Sequence, residues 1–146
     1  MQNQNNRVME EHLSLQNNQE LLTQKPIKLL IVEDEIIVAR QLSNSLKKLG
    51  YEVVAIATCG EEGIKQAALN QPDLVLMDIV MPGDIDGIDA AQEIRQRFSI
   101  PVVFLTAYAD KETVSRAAMT DPFGYILKPF QPKDLYATIE VCLRKH

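Results

Sequence analysis

The chain has 146 residues, room for one domain of ordinary size and no second full one. Apolar content is 46% and no apolar run approaches the length of a membrane span, the composition of a soluble globular protein. A formal net charge of −5, without clustered Lys or Arg, argues against a dominant nucleic-acid-binding face.

Residues 1 to about 26 form a polar, Gln/Asn-rich tail closed by Pro26. It lacks the apolar segment of an export signal, so the chain reads as cytoplasmic and Cys59 and Cys142 as reduced thiols. Val8, Leu15 and Leu22 recur at heptad spacing, but Glu11 and Asn18 spoil the seam between them. A flexible or partly helical tail is the expectation.

From Ile27 the chain alternates regularly, and residues 27–146 read as one domain. Apolar strand candidates lie near 28–32, 53–57, 73–77, 102–105 and 124–127. Helical stripes separate them: Ala39, Leu42, Leu46 and Leu49; Ile88, Ala91, Ile94 and Phe98; Leu135, Ile139 and Cys142. Gly50 fits the position just past the first helix, and Pro132 fits the first turn of the last. Five strands with near-continuous apolar cores, each followed by a helix, predict an α/β protein whose parallel sheet is covered on both faces.

The ends of those strands carry the chemistry. Glu33 and Asp34 follow the first strand, Asp78 the third, Thr106 the fourth and Lys128 the fifth. In a parallel sheet all C-terminal ends share one edge, and ligands bind in the crevice outside it. Clustered carboxylates repel, and a hard divalent cation such as Mg²⁺, which prefers oxygen ligands, relieves them. For Glu33 and Asp34 alone the alternative is a solvated acidic rim at a helix start. A carboxylate is also a nucleophile that forms acyl-phosphates, and a Lys and a hydroxyl can steady the phosphoryl oxygens.

Four segments in order, LLIVEDE (29–35), LVLMDIVMPG (74–83), VVFLTAYAD (102–110) and GYILKPF (124–130), resemble the receiver domain of two-component response regulators. The resemblance implies a flavodoxin-like fold, a doubly wound five-stranded parallel sheet of order 2-1-3-4-5. It implies that Asp78 accepts a phosphoryl group from a histidine kinase or a histidine phosphotransfer protein. Glu33, Asp34, Asp78 and the Val80 backbone carbonyl would hold Mg²⁺. Thr106, the Ala107 N–H and Lys128 would bind the phosphoryl oxygens, and Lys128-Pro129 would be cis. Tyr125 would turn inward when Thr106 moves.

That movement would alter a face spanning 111–144, rimmed by Lys111, Arg116, Lys133, Glu140 and Arg144, for an output partner or a homodimer. Val80 and Tyr108, two positions after Asp78 and Thr106, would shield the acyl-phosphate from water. The loop 81–87 is one residue longer than the frequent family pattern, and the tail lies outside that pattern. No membrane or nucleic-acid partner is implied, and the protein would be a regulator that catalyses only its own phosphorylation and dephosphorylation. The chain is no kinase, since its two histidines, His12 and His146, lie at the periphery. A Mg²⁺-dependent phosphatase is the rival class, but Val80 stands where a second Asp would serve as general acid. A flavin site fits poorly, because Glu33-Asp34-Glu35 replaces a Ser/Thr/Gly-rich loop. A docking domain that has lost phosphorylation is opposed by the complete set of acids, Thr106 and Lys128.

Overall fold

The computed structural model describes residues 25–107, 111–119 and 124–145. The tail with its Val8, Leu15 and Leu22 spacing, Tyr108 and His146 lie outside them. Five strands alternate with five helices: β1 Lys28–Val32, α1 Ile36–Lys48, β2 Glu52–Ala57, α2 Gly60–Asn70, β3 Leu74–Asp78, α3 Gly87–Phe98, β4 Val102–Thr106, α4 Lys111–Met119, β5 Gly124–Leu127 and α5 Pro132–Lys145. All strand pairs are parallel, in the order β2-β1-β3-β4-β5. This is the doubly wound, flavodoxin-like sheet expected.

Strand side chains alternate between faces, and here both faces are covered. Leu29, Ile31, Leu74, Leu76, Val103 and Leu105 pack with Ala39, Leu42 and Leu46 of α1 and Leu135, Ile139 and Cys142 of α5. The intervening Leu30, Val32, Val75, Met77, Val102 and Phe104 pack with Ala67 of α2, Ile88, Ala91 and Ile94 of α3, and Ala117 of α4. That is why β1, β3 and β4 read as unbroken apolar runs. The edge strands are covered less well, leaving Ile56 on β2 and Tyr125 and Leu127 on β5 exposed.

Helix ends follow the local chemistry. Gly50 sits just past α1 at φ 97, in the left-handed region that side chains with a Cβ resist. Asp86 caps α3 by accepting from the Asp89 N–H at 2.9 Å. Pro132 opens α5, where its missing N–H costs no helical bond.

Truncating the fully buried Leu76 to Ala should cost about 2–5 kcal/mol in urea denaturation. The exposed Ile37→Ala should stay within about 0.5 kcal/mol, and equal losses for both would contradict this packing.

Candidate functional site

Register builds the site. Val32 pairs with Met77, Asp78 with Leu105 and Thr106 with Leu127, so the C-terminal ends of β1, β3, β4 and β5 lie side by side. The Lys128 N–H donates to the Thr106 carbonyl at 2.8 Å, carrying the ladder one residue past β5. Lys128-Pro129 is cis, as expected.

Carboxylate oxygens of Glu33, Asp34 and Asp78 all lie within 4.8 Å of one another. Two ligands opposed across a Mg²⁺ ion stand about 4.2 Å apart, twice the usual Mg–O length, so this spacing suits one ion with small adjustments. Glu33 is fully buried, with Oε1 accepting from the Glu35 N–H at 3.2 Å. Its Oε2 lies 2.6 Å from Lys128 Nζ, yet no hydrogen bond of adequate angle reaches it among the described residues. The ammonium therefore balances charge there without satisfying the lone pairs. Lys128 Nζ also stands 3.4 Å from Asp78 Oδ2. With all groups ionised, three carboxylates face one ammonium, and the remaining two negative charges match a divalent cation. On both counts the residues fit Mg²⁺.

Asp78 is 7% exposed at the end of the central strand. Burial first, and the Glu33 charge second, push its carboxyl up to about 7 against the pull of Lys128. Burial works against the Lys128 ammonium, but its close pairing with Glu33 and the charge of Asp78 hold its pKa above the ordinary lysine value.

A cavity of about 300 Å³ opens above Asp78, lined by Asp34, Glu35, Val80, Thr106, Ala107, Thr113 and Lys128 among others. The structure thus brings together Glu33, Asp34, Asp78, Val80, Thr106, Ala107 and Lys128. Tyr125 stands apart: it is 41% exposed, its ring centroid 6.1 Å from that of Phe104. One of the expected rim residues, Glu140, requires correction, and a second, Arg116, is exposed as expected but carries ion pairs. Glu140 is half-buried and accepts from the Tyr51 hydroxyl at 2.7 Å, which turns it toward the base of β2. Arg116 is exposed but bound to Asp86 at 2.9 Å and Asp89 at 3.6 Å.

Some positions carry the site without having been singled out. A Cβ on Gly87 would fall 1.8 Å from the Asp78 carbonyl oxygen, and the Gly87 N–H donates to the Ile79 carbonyl at 3.0 Å. Only glycine lets α3 start this close to the strand end. Glu61 of α2 accepts from the N–H groups of Asp84 and Ile85 at 3.1 and 3.3 Å, anchoring the loop beside the site. Backbone N–H donors, its own first, hold the Glu61 carboxyl below the ordinary value. Thr113 adds a second hydroxyl to the cavity wall. The Asp86-Gly87 pair before a helical stripe was the one available signal for these roles.

Two outcomes follow from this geometry. A carboxyl whose pKa rises from 3.8 to about 7 on folding contributes stability that is complete below the unfolded value and lost as pH climbs through about 7. Without metal, the protein should lose stability from pH 5 to about 8. Asp78→Asn should remove that slope and raise the metal-free Tm near pH 8 by about 4 °C or more; thermal melts across pH that superimpose for the two proteins would contradict the assignment. Gly87→Ala should push the Asp78 strand end aside, costing about 1–3 kcal/mol and weakening Mg²⁺ at least about threefold in calorimetric titration.

The model of the response regulator receiver domain family matches residues 29–140. The transcriptional regulatory protein PdtaR of Mycobacterium tuberculosis is 41% identical over 120 residues, covering 82% of this chain and 58% of that protein. A probable transcriptional regulator, ycf27, of Cyanophora paradoxa is 40% identical over 118 residues, covering 81% and 48%. The chain spans about half the length of these curated relatives. Among solved structures, the signal receiver domain of a modulated diguanylate cyclase from Desulfovibrio desulfuricans G20 superposes with a TM-score of 0.80 at 36% identity, covering 83% of this chain and 96% of that one. With the sheet order and the acidic strand ends already in place, the match settles the family: this chain belongs to the receiver domains of two-component response regulators.

Proposed function

We propose that this receiver is a phosphorylation-controlled switch, with Asp78 as phosphoacceptor and a histidine kinase or histidine phosphotransfer protein as donor. The observation that carries this reading is the Asp78 carboxylate at the floor of an open cavity, with Thr106 and Lys128 in its wall and two further acids beside it. In the transfer, an Asp78 carboxylate oxygen attacks phosphorus while the bond from phosphorus to the donor imidazole breaks. The pair of electrons from that bond stays on the imidazole nitrogen. Asp78 attacks as the anion, and its raised pKa makes cation binding and ionisation mutually supportive.

Glu33, Asp34, Asp78 and the Val80 carbonyl would hold Mg²⁺, which when bound neutralises charge on the transferring phosphoryl group. The Lys128 ammonium, held between Glu33 and Asp78, turns to a phosphoryl oxygen, and the Thr106 hydroxyl and Ala107 N–H donate to the others. Val80, 74% exposed on the cavity wall, offers no group to orient water. With Tyr108 it makes self-dephosphorylation slow.

Donor and output use different surfaces. Ile36 and Ile37 begin α1 one residue after the acidic pair, and they are exposed, as is Val80 on the cavity wall. A protein donor reaching Asp78 buries them. Output leaves through the 111–144 face, where Met119, Tyr125 and Leu127 are exposed, toward a partner protein or a second copy. The acidic balance leaves any nucleic-acid contact to that partner or to another segment. No described helix is long and apolar enough to cross a membrane, and a cytoplasmic regulator, with 27–146 as receiver and 1–26 as an appended tail, fits this role.

Acetyl phosphate with Mg²⁺ should add one phosphoryl group to the wild-type chain by intact-mass analysis, and none to Asp78→Asn. Undiminished labelling of the variant would move the acceptor elsewhere.

A further inference from the structure

α4 turns two polar side chains toward the rest of the molecule, one in its first turn and one in its second, and the two have different consequences. Its first turn puts Thr113 in the wall of the Asp78 cavity. Its second turn puts Arg116 against α3, with Nη1 2.9 Å from Asp86 Oδ2 and Nη2 3.6 Å from Asp89 Oδ1. Asp86 at the same time accepts from the Asp89 N–H through its other oxygen, so one carboxylate both caps α3 and grips α4.

The far side of that grip is fixed. Gly87, next to Asp86, rests against the Asp78 carbonyl with no room for a Cβ and is bonded to the Ile79 carbonyl. The α3 start cannot drift without moving the end of the central strand. α4 itself is lightly held. Among its described side chains only Ala117 is fully buried, while Met119 is 87% exposed. Only four residues lie between Thr106 and Lys111, so a Thr106 drawn toward a phosphoryl group pulls on the first turn of α4. The Arg116 pair resists that pull.

We propose that the ion pairs of Arg116 with Asp86 and Asp89 are a brake on the phosphorylation switch: they tie α4 to the fixed start of α3 and must be released before α4 follows Thr106. The inference rests on the phosphoacceptor reading of Asp78. An interaction made in the ligand-free arrangement and lost in the other holds the population in the first, so its removal shifts the equilibrium toward the second. Burial works against ionisation of Asp86, yet the Asp89 N–H and Arg116 outweigh it and keep its carboxyl below the ordinary value, consistent with a charge-assisted grip. Both partners are partly solvated, so the brake is gentle, on the order of a few-fold.

The test is calorimetric titration of beryllofluoride, a phosphoryl mimic, into protein saturated with Mg²⁺. Asp86→Asn keeps a good helix cap while weakening the pair, and Arg116→Gln removes it from the other side. Each should bind beryllofluoride about two- to fivefold tighter than wild type. The double variant should gain no more than the better single one, since both remove the same interaction. Arg116→Lys, which keeps the charge, should return most of the way to wild type. Unchanged or weaker affinity in both single variants, or gains that simply add, would overturn the brake while wild-type binding keeps the phosphoacceptor reading. A wild-type chain that fails to bind the mimic overturns that reading, and the brake with it.

Discussion

Too much negative charge for its own cations gathers at one edge of the sheet, and much of the molecule is arranged around that fact. Glu33 is taken fully out of water and given a single ammonium at 2.6 Å. Removing a carboxylate from solvent costs several kcal/mol after relaxation, and one ion pair with poor angular satisfaction offsets only part of it. The apolar packing on both faces of β1, β3 and β4 is what holds such an arrangement in place. Those strands cannot slip to relieve the repulsion, because a one-residue shift would exchange every side chain between two differently covered faces. The price of the site is met by the core.

Most of the architecture was legible because hydrophobic patterning reports burial directly. The stripes on α1, α3 and α5 end up facing the sheet, and Gly50 and Pro132 mark the helix ends their conformations favour. α2 carried no readable stripe, because Gly60, Gly63 and Ala67 form its buried face. A Cβ on Gly63 would stand 2.9 Å from Val32 Cγ2, so the helix approaches the strand through the absence of a side chain. Strand ends were also longer than the apolar runs. Asp78 and Thr106 remain in the hydrogen-bonded ladder, which continues past the point where apolar character stops.

The reactive groups of the site were legible for the same topological reason: parallel strands put Glu33, Asp78, Thr106 and Lys128 at one edge whatever the details. What supports them was not. Gly87 matters through backbone clearance, and Glu61 through bonds to a loop in another part of the chain. Neither leaves a periodic signal. Glu140 and Arg116 show a related limit. A charged residue on a helix looks exposed in sequence, while its partner is fixed only by tertiary placement, here Tyr51 for one and Asp86 for the other.

The parity of the strands restricts how a change at Asp78 can spread. Thr106 and Phe104 are two residues apart on β4 and so point to the same face. Tyr125 is the register partner of Phe104 and shares that face, with its ring already against Phe104. Ala117 of α4 packs in the same apolar cluster as Phe104, on the same side of the sheet. Thr106, Phe104, Tyr125 and α4 therefore form one contiguous layer, whereas α1 and α5 bury their apolar residues against the opposite face. Movement of Thr106 opens space only within the first layer. Burial of part of the Tyr125 ring raises its phenol pKa, as expected of a group already half drawn from water. A ring so placed gains apolar contact by moving inward while its hydroxyl keeps a route to solvent, so the two positions can lie close in energy. The proposed switch would be one-sided because the sheet is: the layer that holds Thr106 is the one that meets solvent at α4 and the edge of β5.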